Sequence, residues 1–325
     1  DQALAATLKS LELKPDNPTA LMNLGGIYKD LGQLDHALAA TLKSLELKPD
    51  NPDAHINLGG IYETNNKKEL ALKHYLLSAE LIYSHNKGSS ITSMISSVPI
   101  LIQLGKAKEA KEKIIQIPQT LSKITRNIVN YSVKNKKNDQ AYFGYLKALL
   151  PEIPHSSSTA LVESIHIGES HCLAFTNQII TMNGVNSQVK PSLVKGAKAW
   201  HLGNTQNNTF KTCFQNAIKP ELNHYEFILL SFGEIDCRQD EGILKYCSKH
   251  NSSIEAACQS TARGYVRWIE SELSSYRKKL ILLGIPAPQK LKTADAPNSD
   301  KMNSRRLSVI HSFNKALSEA CSGLA

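Results

Sequence analysis

The sequence predicts a multidomain protein in which an all-α helical-repeat region precedes an α/β region. Residues 1–34 and 35–68 align without a gap and share 24 identical positions, and a 34-residue period is typical of helical hairpins that stack on one another. In the second half of the chain, short apolar runs alternate with helical stretches, as in an α/β domain. We therefore predict a repeat domain over residues 1–150, a linker over 151–160 and an α/β domain over 161–325.

Each copy of the repeat has the residues that a helical hairpin requires. Leu24 and Tyr28 lie four residues apart, so they share one face of a helix. Gly25 permits a close approach of the neighbouring helix. Pro49 is expected to end one helix and Pro52 to begin the next. From residue 69 to about 150 the repeat pattern weakens but remains helical, with a further hairpin expected around Leu104-Gly105.

This pattern resembles the tetratricopeptide repeat (TPR) family. The residues that fit the family pattern are Leu21, Leu24, Gly25, Tyr28, Ala37 and Pro49. In the following copy, His55 stands where a large apolar residue is expected. The resemblance implies a right-handed solenoid whose groove binds a protein or peptide, with Asn23 and Asn57 available to an extended peptide backbone. The alternative is an array that only stacks on neighbouring repeats.

Because the chain opens on the second helix of a repeat, we expect it to be a fragment of a longer array. Composition then limits the partners. The formal charge of +9 is spread over both halves without a basic stripe interleaved with aromatic residues, so nucleic-acid binding is not expected. No apolar run approaches about 20 residues, so no membrane span is expected either.

All six cysteines lie in the second half of the chain, and none forms a C-x-x-C pair. A zinc site is therefore not expected, and we expect no other metal and no cofactor. An even number of cysteines permits disulfides, but free thiols in a cytoplasmic protein fit the repeat scaffold better.

Four strands are predicted in the second half, at 162–168, within 194–202, at 227–230 and at 280–283. Helices are predicted near 206–219, 253–277 and 302–321. Uninterrupted apolar runs are typical of a parallel sheet that is buried on both faces. We therefore expect a three-layer α/β fold, in which functional residues gather at the carboxyl ends of the strands.

Glycine-led polar clusters are predicted to follow three of these strands. They are GESH at 168–171, GNT at 203–205 and GEIDCR at 233–238. Since parallel strands end on the same side of a sheet, we expect the three clusters to converge on one edge.

The order of these clusters resembles the SGNH/GDSL hydrolase family over about residues 161–325. The chain also resembles bacterial proteins that join such repeats to a domain with GESH and FGEIDCR motifs. The family resemblance implies a flavodoxin-like fold and a serine esterase or acyl-hydrolase, with an acylated carbohydrate as a substrate suggested by analogy alone. It assigns catalytic roles to Ser170, Gly203, Asn204 and Asp236, and substrate-binding roles to Glu169, His171, His201, Glu234 and Arg238.

Each role has a structural alternative. Ser170 could simply cap a helix, Gly203 could be a turn glycine with positive φ, and Asp236 could cap the next helix. Glu234 and Arg238, four residues apart, could pair with each other, or Arg238 could hold an anionic group of a substrate.

Two departures from the family pattern affect the expected activity. Ile235 stands where the family has an asparagine that donates to the oxyanion, and the loss of one such donor costs about 2.7–4 kcal/mol. The family's catalytic base lies in a D-x-x-H motif, which this sequence lacks; we expect it to lie beyond residue 325. His201 could reach the site instead. We therefore predict that the chain is catalytically inactive or nearly so.

Three functions follow from the sequence. The leading one is a TPR-tethered esterase, and the second is a non-catalytic interaction scaffold with a degenerate ligand-binding domain. A repeat-fused glycosyltransferase is weaker, because the sequence has neither a nucleotide-binding glycine-rich loop nor a D-x-D motif.

Overall fold

A computed structural model of the chain divides into two compact units. One unit comprises Asp1–Ala160 with Leu173–Gln178, and the other comprises Leu161–Cys172 with Ile179–Ala325. The boundaries expected from the sequence, with a linker over 151–160, stay a prediction. The structure describes residues 2–83, 89–124, 133–154, 162–219, 222–238, 241–276, 278–286 and 299–322.

The described part of the repeat unit is helical, as the sequence predicts. Its helices are α1 (Gln2–Leu13), α2 (Pro18–Asp30), α3 (Leu34–Leu47), α4 (Pro52–Thr64), α5 (Lys68–Tyr83), α6 (Ser89–Gln103), α7 (Ala107–Ile124) and α8 (Val133–Leu149). The predicted hairpin around Leu104-Gly105 is the turn between α6 and α7, where Gly105 has a φ of 73°. The handedness of the solenoid stays a prediction.

Local signals set the helix ends of the repeat. Asn17 precedes α2, and its side chain accepts hydrogen bonds from the backbone N–H groups of Thr19 and Ala20. Asn51 caps α4 in the same way, and a proline occupies the first position of each helix. The predicted start of a helix at Pro52 is therefore confirmed.

Close contact at glycine joins the paired helices of each repeat. A Cβ atom on Gly25 would lie 2.0 Å from Oγ1 of Thr41, and one on Gly59 would lie 2.6 Å from the ring of Tyr75. Ala37 is fully buried against Leu58 and its neighbours. Gly25 and Gly59, which occupy the same place in the two copies, therefore both lie at close helix contacts.

His55 replaces an apolar residue without being left unsatisfied. Its Nδ1 lies 2.9 Å from Nδ1 of His74, and its Nε2 lies 3.2 Å from the carbonyl oxygen of Pro49. Because a carbonyl only accepts, the neutral His55 donates from Nε2 and accepts at Nδ1 from His74. Burial lowers the pKa of both histidines, that of His74 to about 4.

The second unit is built on a five-stranded sheet of order β2-β3-β1-β4-β5. Its strands are β1 (Val162–Gly168), β2 (Ile179–Met182), β3 (Val185–Leu193), β4 (Tyr225–Ser231) and β5 (Lys279–Leu282). Four strands are parallel, whereas β2 pairs antiparallel with β3 at the edge. The sheet is therefore mixed rather than wholly parallel as predicted. Three strands, β1, β4 and β5, lie where the apolar runs predict them.

The predicted strand within 194–202 is wrong. The strand beside β1 is β3, which ends at Leu193, and residues Ala199–Gly203 form a helix, α9. The sequence of β3 lacks a long apolar run because its buried side chains include polar ones that are hydrogen-bonded. Ser187, for example, shares a short hydrogen bond with Ser164 of β1. This bond satisfies both hydroxyl groups, so the two serines can be buried where apolar side chains would otherwise be expected.

The remaining described helices of this unit are α10 (Thr209–Ile218), α11 (Ile243–His250), α12 (Ile254–Leu273) and α13 (Ser299–Ser322). Side chains from α9 to α13 form one apolar core with Ile165 and Ile167 of β1 and with Ile228 and Leu230 of β4. These strand residues alternate along each strand and share one face of the sheet. A three-layer, flavodoxin-like arrangement stays a prediction.

Within the described residues, no helix combines the length and the apolar character that crossing a bilayer would require.

Candidate functional site

Glu169 joins the carboxyl ends of the two central strands. Its Oε1 accepts hydrogen bonds from the backbone N–H groups of Gly233 and Glu234, each at 2.9 Å. Its own N–H donates to the carbonyl oxygen of Ser231 at the end of β4. The GESH turn after β1 is thereby held against the GEIDCR turn after β4. These two of the three predicted clusters do meet.

Close packing between the strand ends fixes this arrangement further. A Cβ atom on Gly168 would lie 2.3 Å from Oγ of Ser231 and 2.7 Å from its carbonyl oxygen, so only glycine permits the contact. Ser170, two residues after Gly168, is half-buried and is the first residue of a short 3-10 helix, Ser170–Phe175. The structure thus places the predicted nucleophile at the end of β1.

The Glu169 carboxyl group is almost wholly buried, with 2% of the residue exposed. Burial and the nearby Glu234 raise its pKa to about 8, although the two N–H donors act in the opposite direction. Its Oε2 has no hydrogen-bond partner among the described residues. Both the raised pKa and the two hydrogen bonds indicate that this side chain holds the turn in place. Its predicted substrate-binding role stays a prediction.

Glu234 binds two arginines. Nε and Nη2 of Arg238 donate to Oε2 of Glu234 at 2.9 and 2.7 Å, and Nη2 of Arg306 donates to Oε1. The predicted pairing of Glu234 with Arg238 is therefore present. Arg306, on α13, is a further partner that the sequence did not indicate, because 72 residues separate it from Glu234.

His171 lies beside these carboxylates. One ring nitrogen of His171 and one oxygen each of Glu169 and Glu234 lie within 4.8 Å of one another, which is a spacing that could hold a metal ion. Both oxygens of Glu234 are already bonded to guanidinium groups, however, so a metal would have to displace an arginine. Burial lowers the pKa of His171, although the nearby Glu234 acts in the opposite direction.

Asp236 caps a helix, although not the one that its structural alternative names, and its predicted catalytic role stays a prediction. Its Oδ2 accepts from the N–H of Ala199 at 2.7 Å and its Oδ1 from the N–H of Trp200 at 3.3 Å. It therefore caps the earlier helix α9, not the next helix. The carboxyl group is fully buried, and desolvation raises its pKa to about 6. This cap connects the turn after β4 to α9.

Gly203 and Asn204 serve packing and turn formation at the other end of α9. A Cβ atom on Gly203 would lie 2.6 Å from the backbone nitrogen of Tyr265 in α12. Gly203 is absent from the glycines with positive φ, so close helix contact, not a turn conformation, accounts for it. Oδ1 of Asn204 accepts from the N–H of Gln206. The predicted catalytic role of either residue stays a prediction.

His201 is engaged inside its own helix. Its Nδ1 accepts from the backbone N–H of Lys198 at 3.1 Å, and its ring stacks on Phe210 with centroids 4.1 Å apart. Burial lowers its pKa to about 4. These contacts give His201 a structural role, in which it caps α9 and packs against α10.

Trp200 stands between two cavities. One of about 470 Å³ is lined by residues that include Ile243, Tyr246 and Ala257, and one of about 250 Å³ by Gly203 and Asn204 among others. Trp200 lines both and is half exposed. Sequence reasoning missed this residue, because a single tryptophan in a predicted strand gives no sign of exposure.

The repeat unit has a cavity of about 510 Å³ that contains both predicted peptide-binding asparagines. It is lined by residues of α1, α2 and α4, which include Asp30 and Asp53. Nδ2 of Asn57 donates to the carbonyl oxygen of Met22 at 3.0 Å. The Asn57 donor is thus used between repeats, which leaves Asn23 as the exposed amide of the pair.

Comparison with known proteins identifies only the repeats. Residues 25–66 match the TPR repeat family. No curated protein matches the chain. Among solved structures, a mutant of the Thermobaculum terrenum O-GlcNAc transferase is similar over 70% of this chain and 41% of that one, with 11% identity and a TM-score of 0.29. The chain thus spans less than half of that protein, and a likeness this weak supports no inference about fold or activity.

TPR repeats are a protein-interaction module, so the matched segment indicates that this protein has protein partners. Its helical-repeat region is followed by a mixed-sheet domain.

Proposed function

We propose that the α/β unit carries a serine ester-hydrolase site of the SGNH type, with Ser170 as the nucleophile. The observation that carries this proposal is the pair of hydrogen bonds from Gly233 and Glu234 to Glu169. They hold the serine-bearing turn and the turn after β4 together at the carboxyl ends of adjacent parallel strands. Ligands of open α/β sheets bind outside these strand ends.

In this mechanism Ser170 Oγ attacks an ester carbonyl, and the ester C–O bond breaks to give an acyl-enzyme and the alcohol, which takes up the serine proton. Water then hydrolyses the acyl-enzyme, which releases the acid and restores the Ser170 hydroxyl. The attack requires a base that accepts the hydroxyl proton. His201 is bonded to the backbone of Lys198, and the sequence has no D-x-x-H motif. The oxyanion that forms also lacks one hydrogen-bond donor, because buried Ile235 stands where the family has an asparagine, and its side chain has no donor. The chain is therefore expected to turn over slowly, or not at all, without an added base.

Chemical rescue tests this proposal on the chain as it exists. Imidazole in solution can supply the absent base, so it should accelerate hydrolysis of p-nitrophenyl acetate by the wild-type chain. The Ser170→Ala variant should show only the reaction of imidazole with the ester in free solution. Intact-protein mass spectrometry should detect an acetyl group on Ser170 in the wild type alone. Equal rates and no acetylation would end the hydrolase proposal.

A second candidate is a ligand-binding domain without catalysis. It is favoured by the structural roles of Gly203, His201 and Asp236, each of which packs against or caps a helix. If rescue fails, this candidate remains, and the two cavities beside Trp200 become its binding region.

We also propose that the cavity between α2 and α4 binds an extended peptide of a partner protein. Asn23 is exposed there and can pair with a peptide backbone, while Asp30 and Asp53 favour a peptide with basic side chains. Asn23→Ala should reduce capture of a partner by the chain, whereas Asn65→Ala, outside the cavity, should not. Equal capture by both variants would contradict this assignment.

A further inference from the structure

Two guanidinium groups share one carboxylate beside the predicted nucleophile. Arg238 and Arg306 both bind Glu234, each through a different oxygen. The three side chains carry a net charge of +1 at neutral pH. They come from the turn after β4 and from α13, so the tertiary fold, not local sequence, assembles them.

The arginines retain donors that Glu234 does not use. Nε of Arg306 is buried and has no hydrogen-bond partner among the described residues. Arg238 directs Nε and Nη2 to a single oxygen of Glu234, and its side chain is 42% exposed. A buried guanidinium N–H without an acceptor is costly, so an acceptor at this position would stabilise the cluster.

The side chains around the cluster do not cancel its charge. Burial raises the pKa of Glu169 to about 8 and lowers the pKa of His171, and both shifts favour the uncharged form of the side chain. Asp236 is occupied by the N–H groups that begin α9. Glu241 is paired with Lys198 at 3.4 Å.

Glu169 adds a second unsatisfied polar atom to the same region. Its Oε2 is buried without a partner in the described part of the chain, on a residue only 2% exposed. In its protonated form this oxygen is a donor, like the open N–H groups of the arginines. Unpartnered donors in this region would be satisfied by the oxygens of an anion.

We infer that the Arg238–Glu234–Arg306 cluster binds an oxyanion, a carboxylate or phosphate group, on the molecule that Ser170 acts on. Guanidinium groups recognise both oxyanions with paired, charge-assisted hydrogen bonds. As an account of the substrate this inference rests on the proposed hydrolase function, whereas the anion site itself does not. Arg306 then determines specificity, selecting anionic over neutral esters.

The first experiment measures binding alone, with the full chain and with inorganic phosphate and acetate as probes. Each probe is titrated against chloride at constant ionic strength, while NMR follows the arginine Nε–H resonances. Those of Arg238 and Arg306 should shift, and the tighter probe identifies the class of oxyanion. Arg306→Gln should weaken binding by about tenfold or more. The matched control is Arg305→Gln, since Arg305 is an exposed neighbour on α13. This substitution should change the affinity for the probes by less than about twofold.

Arg306→Lys is the control for a folding defect, because it keeps a positive charge beside Glu234 but loses the forked guanidinium group. This variant should bind the probes with intermediate affinity. The inference is overturned if neither probe shifts the two resonances, or if a folded Arg306→Gln protein binds as the wild type does.

The second experiment separates this inference from the proposed function. In the presence of imidazole, hydrolysis of neutral p-nitrophenyl acetate is compared with that of mono-p-nitrophenyl succinate, which carries a carboxylate. Arg306→Gln should raise KM for the succinate ester by about tenfold and leave KM for the acetate ester within about twofold. Ester hydrolysis that depends on Ser170 but not on Arg306 would overturn the role of Arg306 in selecting the substrate and leave the hydrolase standing. Arginine shifts without any hydrolysis dependent on Ser170 would overturn the hydrolase alone.

Discussion

The repeat unit and the α/β unit differ in how far apart in sequence their hydrogen-bonded residues lie. In the two matching repeats, side chains reach about one repeat away: Asn57 bonds to Met22, 35 residues earlier, and Ser44 to Pro18, 26 residues earlier. In the α/β unit, Glu169 bonds to Gly233 across 64 residues. Periodic spacing therefore defines the first unit, whereas the second depends on a few buried polar contacts between distant segments.

The largest expected effect sharpens this comparison at Glu169. Removing its carboxyl group by Glu169→Ala leaves the N–H groups of Gly233 and Glu234 without an acceptor, one of them fully buried. We expect the free energy of unfolding of the α/β unit to fall by about 2–4 kcal/mol. Both tryptophans of the chain, Trp200 and Trp268, lie in this unit, so urea unfolding followed by tryptophan fluorescence reports on it.

Glu169→Gln is the matched control, because its amide oxygen can still accept both hydrogen bonds. It should cost no more than about 1 kcal/mol. Equal losses for the two variants would show that the hydrogen bonds to Oε1 are not what holds the turns together.

The repeat unit was predictable because its signals are local. Asn17 and Pro18 begin a helix, and Gly25 allows the next one to approach, within a span that the 34-residue period repeats. Strands β4 and β5 were predictable for a similar reason, since each is a short apolar run, largely buried in β4 and half-buried in β5.

The rest of the α/β unit depends on contacts that no local pattern carries. Strand β3 was missed because buried Ser187 and Gln188 interrupt its apolar pattern. The cap that Asp236 forms on α9 spans 37 residues in the backward direction. Arg306 is one charge in a long helix, and only the fold shows that it meets Glu234. The predicted parallel sheet alone was enough to place the GESH and GEIDCR turns together. It did not reveal that Glu234 meets Arg306 or that Asp236 caps α9.

A second prediction tests the long-range contacts at a glycine. Gly203→Ala places a Cβ atom 2.6 Å from the backbone nitrogen of Tyr265 and 2.7 Å from the carbonyl carbon of Gly264. Backbone atoms cannot rotate away, so α9 and α12 must separate, and we expect a loss of about 1–3 kcal/mol in the same fluorescence-detected unfolding. A control at Gly196→Ala would be strained by its φ of 74°, so Ser260→Ala, on the exposed side of α12, is the better comparison and should be nearly neutral. Unchanged stability of Gly203→Ala would mean that the helix contact is looser than the structure indicates.

The pH dependence of stability should differ in sign between the two units. Folded Glu169 keeps its proton up to about pH 8, whereas the unfolded side chain loses it near its ordinary value of 4.5. The folded state therefore binds more protons between these values, and the stability of the α/β unit falls as pH rises. Buried Asp236 acts in the same direction up to about pH 6.

His166 and His201, each with a pKa of about 4, oppose this trend only below their ordinary value of 6.5. From pH 6.5 to 8, Glu169 should therefore dominate, with a slope of at most about 1.4 kcal/mol per pH unit. Comparing the fluorescence-detected stability of the wild type with that of Glu169→Gln isolates this contribution, since the variant has no acid there. A flat profile for the wild type would contradict it.

In the repeat unit the sign is reversed. The pKa of His74 is lowered to about 4 by burial and by the nearby His55 and Lys73, so the unfolded state binds more protons between pH 4 and 6.5. Stability from this residue is present above pH 6.5 and is lost as pH falls towards 4. Amide hydrogen exchange of α4 and α5 should show weaker protection at pH 5 than at pH 7, after correction for intrinsic rates, and His74→Gln should reduce the difference. Protection independent of pH would refute the assignment.

The smallest expected effect separates two adjacent glycines of α4. Gly59 lies against the ring of Tyr75, with a Cβ contact of 2.6 Å, whereas a Cβ atom on Gly60 would lie no closer than 3.6 Å, at Cδ of Lys29. Because alanine loses less conformational entropy than glycine on entering a helix, Gly60→Ala should stabilise the repeat unit by about 0.5–1 kcal/mol. Gly59→Ala should destabilise it, since the tyrosine ring must move. Hydrogen exchange of the α4 amides measures both, while the tryptophan signal of the α/β unit should not change. If the two variants shift protection in the same direction, helix propensity rather than close packing governs this glycine pair, and the repeat does not need Gly59 for the approach of α5.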